Sequence, residues 1–320
     1  MKPAFQIPDA VRDAVSGNWV DHRAPAQWRP FLRLSRLDRP IGTWLLLLPC
    51  WWGIGLAMMS GAPRWFDLWI YIACAIGAVA MRGAGCTWND ITDRDIDGAV
   101  DRTRNRPIPS GQVRLRGAYI WMGLQTLTGL AMLLTLGGAA IWLGVLSLLP
   151  VAIYPFAKRF TWWPQVFLGI AFNWGVMLAY AAHRGGLDAA PVIAWFGGIA
   201  WTVFYDTIYA HQDAEYDALI GVRSTARLFG DDTPRWLAGF GALSVVLLAI
   251  AISATGVSGA PWAIAMLGLT GFAAHLVWQL YRLDLHDDQI QLVLFRSNRD
   301  AGLVLAVFLG LSGLLAGALS

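Results

Sequence analysis

Charge is what this 320-residue chain has least of: Asp, Glu, Lys and Arg make up only 14% of it, against about 25% in soluble domains. Ordinary soluble folds are excluded by that scarcity, and nothing suggests a nucleic-acid partner. Cysteine is nearly absent. Cys50, Cys74 and Cys86 lie in or beside apolar stretches, lack metal-type spacing, and are odd in number, which gives no disulfide framework; all three read as packing residues. The first 40 residues lack an apolar run ending in a small-residue cleavage site, so they are expected to be a cytosolic leader preceding a transmembrane domain at 41–320.

What the chain has is hydrophobic length. Apolar residues make up 57% of it and the mean hydropathy is +0.50, the signature of an all-α polytopic membrane protein. A helix needs about 20 mostly apolar residues to cross a bilayer, and nine stretches approach that length: 41–60, 68–88, 117–136, 139–156, 164–182, 189–205, 236–257, 260–281 and 302–319. With the N-terminus inside, the short external loops contain only Arg64 and Arg184 of the 24 Lys and Arg residues. The positive-inside rule therefore places the other polar loops on the cytoplasmic side. A polar stretch at 282–300 is expected to be a loop with an interfacial helix. Trp51, Trp52, Trp65, Trp69, Trp162 and Trp163 fall near span ends, where an aromatic belt sits.

Two short acidic runs break the apolar pattern. NDITDRDID (89–97) and DTIYAHQDAEYD (206–217), with Asp101 just beyond the first, hold nine of the 21 carboxylates. As continuous α-helices, each run puts three of them on one face: Asp90, Asp93 and Asp97 in the first, Asp206, Asp213 and Asp217 in the second. Asp95 and Glu215 point away and read, with Asp101, as solvated. Carboxylates stacked in this way repel one another, the more so where water is scarce. A divalent cation converts the repulsion into binding.

Each run is followed by arginines: Arg102, Arg104 and Arg106 after the first, Arg223 and Arg227 after the second. Magnesium takes a few carboxylates and completes its shell with phosphate oxygens and water, so carboxylates beside guanidiniums describe a clamp for a metal-bound diphosphate. At a membrane surface an isoprenyl diphosphate suits such a clamp, because its tail stays in lipid. The runs recur after a step of four helices, which suggests two similar halves around one cavity. Pro107, Pro109 and Gly111 end the first run in a loop expected to lie over the site.

Five blocks carry a resemblance that goes further: RLDRPIGTWLLLLP (36–49), MRGAGCTWNDITDRDIDGAVDRTRNRPIPSG (81–111), YPFAKRFTWWPQVFLG (154–169), YDTIYAHQDAEYDALIGVRSTA (205–226) and SNRDAGLVL (297–305). In this order they resemble the UbiA superfamily of intramembrane prenyltransferases, within it the branch acting on 4-hydroxybenzoate. The resemblance implies a nine-helix bundle around a central cavity opening to the cytoplasmic side and to lipid, in a bacterial inner membrane. It implies magnesium dependence, with polyprenyl diphosphate and 4-hydroxybenzoate as substrates and prenylation of the ring carbon ortho to the hydroxyl, a step of ubiquinone biosynthesis. By motif, Asn89, Asp90, Asp93 and Asp97 match the family's NDxxDxxxD, Asp213 and Asp217 match its second DxxxD, and Tyr154 and Lys158 match a YxxxK element that contacts diphosphate. Where the family continues GVKS or GIKS, Arg223 stands at the lysine position.

Single residues complete the expected site. Arg82, seven residues before Asn89 on nearly the same face, is expected to reach diphosphate. Arg36 and Arg159 are the candidates for an acceptor carboxylate, Lys158 and Arg159 have a positive-inside anchor as their alternative, and Tyr209 is a third acceptor candidate. Tyr154, Tyr205 and Tyr209 suit either shielding of an allylic cation or plain packing. Asn173 fits an interhelical hydrogen bond, and His211 stands without a second metal ligand. Two other readings stay open: the same fold with another acceptor (homogentisate, a naphthoate, haem or a chlorophyllide), or a cation transporter.

Overall fold

A computed structural model describes residues 17–98, 103–219 and 221–319, and the side chains of Ile96 and Glu215 are not among the described parts. Asp101, Arg102 and the start of the expected leader lie outside them. Among the described residues every regular element is helical. In lipid the backbone has no water to bond to, so long apolar runs close their N–H and C=O groups within one segment.

In chain order the helices are α1 Trp19–His22, α2 Arg29–Leu34, α3 Ile41–Ser60, α4 Trp65–Thr92, α5 Arg94–Gly98, α6 Leu115–Leu133, α7 Gly138–Leu146, α8 Leu148–Phe160, α9 Pro164–Arg184, α10 Ala189–Ala210, α11 Ala214–Leu219, α12 Thr225–Phe229, α13 Thr233–Ala254, α14 Gly259–Arg282 and α15 Asp288–Leu319. Among the described residues, seven helical stretches are long and apolar enough to cross a membrane. The expected spans at 117–136 and 189–205 do form helices, α6 and α10, but they are not among the seven. Polar residues such as Gln125, Thr126 and Thr128 in α6, and Thr202, Asp206 and Thr207 in α10, dilute their apolarity. A count of nine spans is thus not established.

Two other expectations change. The span at 139–156 is divided at Ser147 into α7 and α8. The stretch at 282–300 is no separate interfacial helix: α15 runs unbroken through 32 residues from Asp288. Its Gln291 and Asn298 are fully buried. Asn298 Nδ2 donates to Gln279 Oε1 at 3.0 Å and its Oδ1 accepts from Trp201 Nε1 at 2.9 Å, so packing against α14 and α10 draws this polar stretch inside.

Packing divides the chain into two compact units, Met1–Thr43 with Ile76–Met132, and Trp44–Ala75 with Leu133–Ser320. The described part of the expected leader is folded in the first unit. There Leu34, Ile91, Val113 and Ala118 form a buried core with Phe31, Ile108, Leu115, Trp121 and Met122 around it. Trp19 Nε1 donates to Leu37 O at 2.9 Å, and Trp121 Nε1 to Ser35 Oγ at 2.7 Å.

The second unit centres on Trp52, Trp201, Tyr205 and Phe272, all essentially buried. Trp52 therefore belongs to the core and not to an aromatic belt: its Nε1 donates to Gly302 O at 2.9 Å and its ring lies 4.9 Å from that of Trp201. Tyr205 packs edge-on to Trp201 at 5.0 Å, the packing alternative for that tyrosine. Asn173 makes the expected interhelical bond, Nδ2 to Thr202 Oγ1 at 2.8 Å. Asp67 and His183 form a buried pair at 2.6 Å, and Asp67 also accepts from Arg64 N at 2.7 Å, closing the first turn of α4.

Glycine allows a close helix approach in the second unit, where a Cβ on Gly53 would overlap the carbonyl of Val176, a backbone atom that cannot swing aside. Gly77, by contrast, has nothing within 4 Å of the same position. Gly53→Ala is expected to cost about 1–3 kcal/mol, and Gly77→Ala to be neutral or slightly stabilising. Thermal unfolding of the two variants in detergent checks the difference.

Candidate functional site

The first acidic run starts on the last turns of α4 and continues through Asp93 into α5. Its backbone keeps helical bonds across that junction, Asp93 N to Asn89 O at 2.9 Å and Asp97 N to Asp93 O at 2.8 Å. The projected face therefore survives. Asp90, Asp93 and Asp97 are 0%, 1% and 6% exposed, whereas the Asp95 side chain is 88% exposed beside Arg94. Asn89 is half-buried on the same turn as Asp90.

Two arginines answer the buried carboxylates. Arg36 Nη2 donates to Asp90 Oδ1 at 2.6 Å, and Arg106 Nη1 lies 2.7 Å from Asp97 Oδ2 and 3.6 Å from Asp90 Oδ1. Burial pushes the Asp97 carboxyl above its usual range; Arg106 pulls it back, and the charges of Asp90 and Asp93 push it further up. Arg36 is the one non-glycine residue of positive φ among those described, at 57°, a conformation that costs of order 1 kcal/mol. Such strain persists only where surrounding contacts impose it.

Arg106 was seen in the sequence only as one base after the run. Its place beside Asp90 and Asp97 depends on the proline loop, where Val113 N donates to Pro107 O at 2.8 Å and Thr103 Oγ1 to Asp97 O at 2.9 Å. Its neighbours in the motif, NRPIPSG, were the available signal. Arg82 is half-buried on α4, and its guanidinium fills the space a side chain at Gly42 would need.

The second run is built differently. Here α10 ends at Ala210, a 3₁₀ turn takes His211–Asp213, and α11 begins at Ala214. A 3₁₀ turn winds about 120° per residue instead of 100°, so the continuous α-helical face assumed for Asp206, Asp213 and Asp217 is turned part-way round between the first and the other two. All three are half-buried. His211 Nε2 pairs with Thr233 Oγ1 at 2.9 Å, and burial holds its imidazole below the usual range. Tyr209 stacks on Phe295 with ring centres 4.4 Å apart.

Tyr154 and Lys158 lie one turn apart on α8, both half-buried, while Arg159 is exposed with its guanidinium 5.1 Å from the Phe156 ring. Arg223 comes to the end of the same helix. Its backbone N donates to Lys158 O at 3.1 Å and its Nη1 to Phe160 O at 2.8 Å, so it caps carbonyls that the helix leaves open. The structure thereby joins two candidates that lie 65 positions apart in sequence. Arg227 holds the intervening turn, bonding the carbonyls of Val222 and Asp217, with its guanidinium 5.2 Å from the Trp162 ring.

Among the described residues no three His, Cys, Asp or Glu side chains are grouped as a ready-made metal cage. Magnesium does not need one: it is held by one or two carboxylates with substrate phosphates and water. Asp90 Oδ2 is buried and accepts no hydrogen bond, an acceptor that a hard cation suits. The first run fits magnesium on that ground.

Seven helical stretches among the described residues long and apolar enough to cross a membrane, in a chain of such hydropathy, make this an integral membrane protein. The profile of the UbiA prenyltransferase family matches residues 46–299, and the chain belongs to that family. A mitochondrial 4-hydroxybenzoate polyprenyltransferase of Rattus norvegicus is 45% identical over 300 residues, which cover 93% of this chain and 78% of that protein. Among solved structures, the apo UbiA homolog from Aeropyrum pernix K1 aligns with a TM-score of 0.68 at 24% identity, over 84% of this chain and 96% of the other. A UbiA homolog from Archaeoglobus fulgidus bound to GPP and Mg2+ aligns at 0.64 and 20% identity, over 90% and 99%. Both share the fold.

Removing one member of a buried ion pair costs about 3–5 kcal/mol, and Arg106 faces two carboxylates. Arg106→Gln is expected to loosen the segment at 103–113 first, raising its amide hydrogen exchange at least tenfold while α9 and α10 stay protected. Exchange measured by mass spectrometry reads this directly.

Proposed function

We propose that this protein transfers a polyprenyl chain from polyprenyl diphosphate to the ring carbon ortho to the hydroxyl of 4-hydroxybenzoate, releasing diphosphate, in ubiquinone biosynthesis. The observation that carries the proposal is the buried NDxxDxxxD face of Asp90, Asp93 and Asp97 in a chain of this family. The acceptor rests on the relative of that name, matched along 93% of this chain.

In this reading magnesium is held by Asp90, Asp93 and Asp97 of the first run and Asp206, Asp213 and Asp217 of the second, with Asn89 beside them. When bound, it stabilises negative charge developing on the departing diphosphate. Arg82, Tyr154, Lys158 and Arg223 bind the diphosphate; Arg223 acts from its cap on α8, next to Lys158. Cationic side chains aimed at the leaving group favour the charge-separated transition state over the bound substrate. The allylic carbon is then attacked by the electron-rich ring carbon. Loss of the ring proton restores aromaticity.

Arg36 and Arg159 are the cations offered to the benzoate carboxylate, with Tyr209 near them in role. Residues 41–320 make up the prenyltransferase domain, and the first 40 are a cytosolic leader. The site faces the side whose loops carry most of the Lys and Arg residues, the cytoplasmic side of a bacterial inner membrane, where a water-soluble acceptor enters. The relative named above is mitochondrial; charge distribution supplies the orientation across the membrane, not the kind of membrane.

Membranes containing the protein, given labelled 4-hydroxybenzoate, a polyprenyl diphosphate and magnesium, are expected to form a lipid-extractable labelled product; a folded protein that forms none overturns the proposal. Asp90→Asn and Asp213→Asn are each expected to lower turnover about 100-fold or more, and Asp95→Asn to leave it within about twofold.

A further inference from the structure

The contact between Arg36 and Asp90 is built from more than its two side chains. Arg36 Nη2 meets Asp90 Oδ1 at 2.6 Å, with side chains 9% and 0% exposed. Arg36 bonds back onto its own turn, N to Arg33 O at 3.0 Å and Nη1 to the same oxygen at 3.2 Å. Arg33 is in turn fixed by a second buried ion pair, Nη2 to Asp21 Oδ1 at 2.8 Å, and Asn18 Nδ2 donates to Asp21 Oδ2 at 2.7 Å. The chain Asn18, Asp21, Arg33, Arg36, Asp90 thus runs from the N-terminal segment into the first acidic run. It holds Arg36 at its positive φ.

Asp90 has two oxygens in different states. Oδ1 takes Arg36, with Arg106 at 3.6 Å, and Oδ2 is buried with no hydrogen bond. A cation entering at Oδ2 stands a few ångströms from the Arg36 guanidinium in a place where water does little to screen the repulsion. Both cannot hold Asp90 at full strength.

We propose that Arg36 is the resident counter-ion of Asp90, that a divalent cation displaces it on binding, and that the Asp21–Arg33 pair keeps it poised there. The proposal rests on the reading of Asp90 as a metal ligand. Without metal, Arg36 neutralises a carboxylate that would otherwise be buried and repelled by Asp93 and Asp97. With metal bound, the guanidinium is released for a second anion, so loading of the metal prepares the protein for an anionic ligand.

Mn2+ alone, titrated into the purified full-length protein and followed by electron paramagnetic resonance, tests this apart from turnover. Losing a charge-assisted bond that opposes the metal is expected to tighten Mn2+ binding of Arg36→Gln about tenfold. Asp21→Asn is expected to shift it in the same direction by a smaller factor, which general destabilisation would not do. Asp90→Asn is expected to weaken binding. Unchanged or weaker binding in Arg36→Gln, alongside weaker binding in Asp90→Asn, overturns the displacement and leaves the metal-ligand reading standing. Unchanged binding in Asp90→Asn removes both. For the case in which Arg36→Gln does not fold, phenylglyoxal modification of Arg36 in the unmutated protein, read by mass spectrometry, is expected to quicken severalfold when Mn2+ is added; no change in rate overturns the proposal.

Discussion

A carboxylate taken out of water has to be neutralised, and the first acidic run takes three of them out together. Asp90, Asp93 and Asp97 are almost fully buried on one turn-spaced face, where mutual repulsion is poorly screened. The surrounding structure is arranged around that constraint. Arg36 is brought in from the segment before α3, Arg106 from the proline loop after α5, and each meets a carboxylate oxygen at 2.6–2.7 Å. A buried ion pair contributes little net stability, but a buried carboxylate left alone costs far more, so these arginines are needed for the run to be buried at all.

The same need explains parts of the chain that seem remote from chemistry. Residues 18–38 are tied into the first unit: Asp21 and Arg33 pair, Trp19 bonds Leu37, and the backbone of Arg36 is held at a positive φ. The loop at 103–113 is folded back by Val113 and Thr103 so that Arg106 arrives. In the other unit the second run is half-buried, interrupted by a 3₁₀ turn, and supported by arginines that bond carbonyls: Arg223 at the end of α8 and Arg227 at the end of α11. Two runs that look alike in sequence therefore sit in differently built segments, one with continuous helical bonding and one interrupted by a 3₁₀ turn.

Much of this was legible beforehand. Hydropathy located the helices because the period of an apolar run and the length of a bilayer are both properties of local sequence. The division of the first run into Asp90, Asp93 and Asp97 on one side and Asp95 on the other followed from helical spacing alone. Three expectations failed for tertiary reasons. Trp52 became core because Gly302 and Trp201 meet it; the stretch after Arg282 became helix because Gln279 and Trp201 satisfy Asn298. The 3₁₀ turn at 211–213 broke a face assumed continuous.

By itself the sequence determined what depends on neighbours along the chain: an all-helical membrane protein, the placing of its spans, the face of its first carboxylate run, and the blocks that mark its family. Only the tertiary structure decided which cations answer which carboxylates. Arg36 reaches Asp90 across 54 positions and Arg223 reaches Phe160 across 63, separations at which spacing carries no information. Those pairings depend on where folding leaves an uncompensated charge or an open carbonyl, and that is set by burial and not by order along the chain.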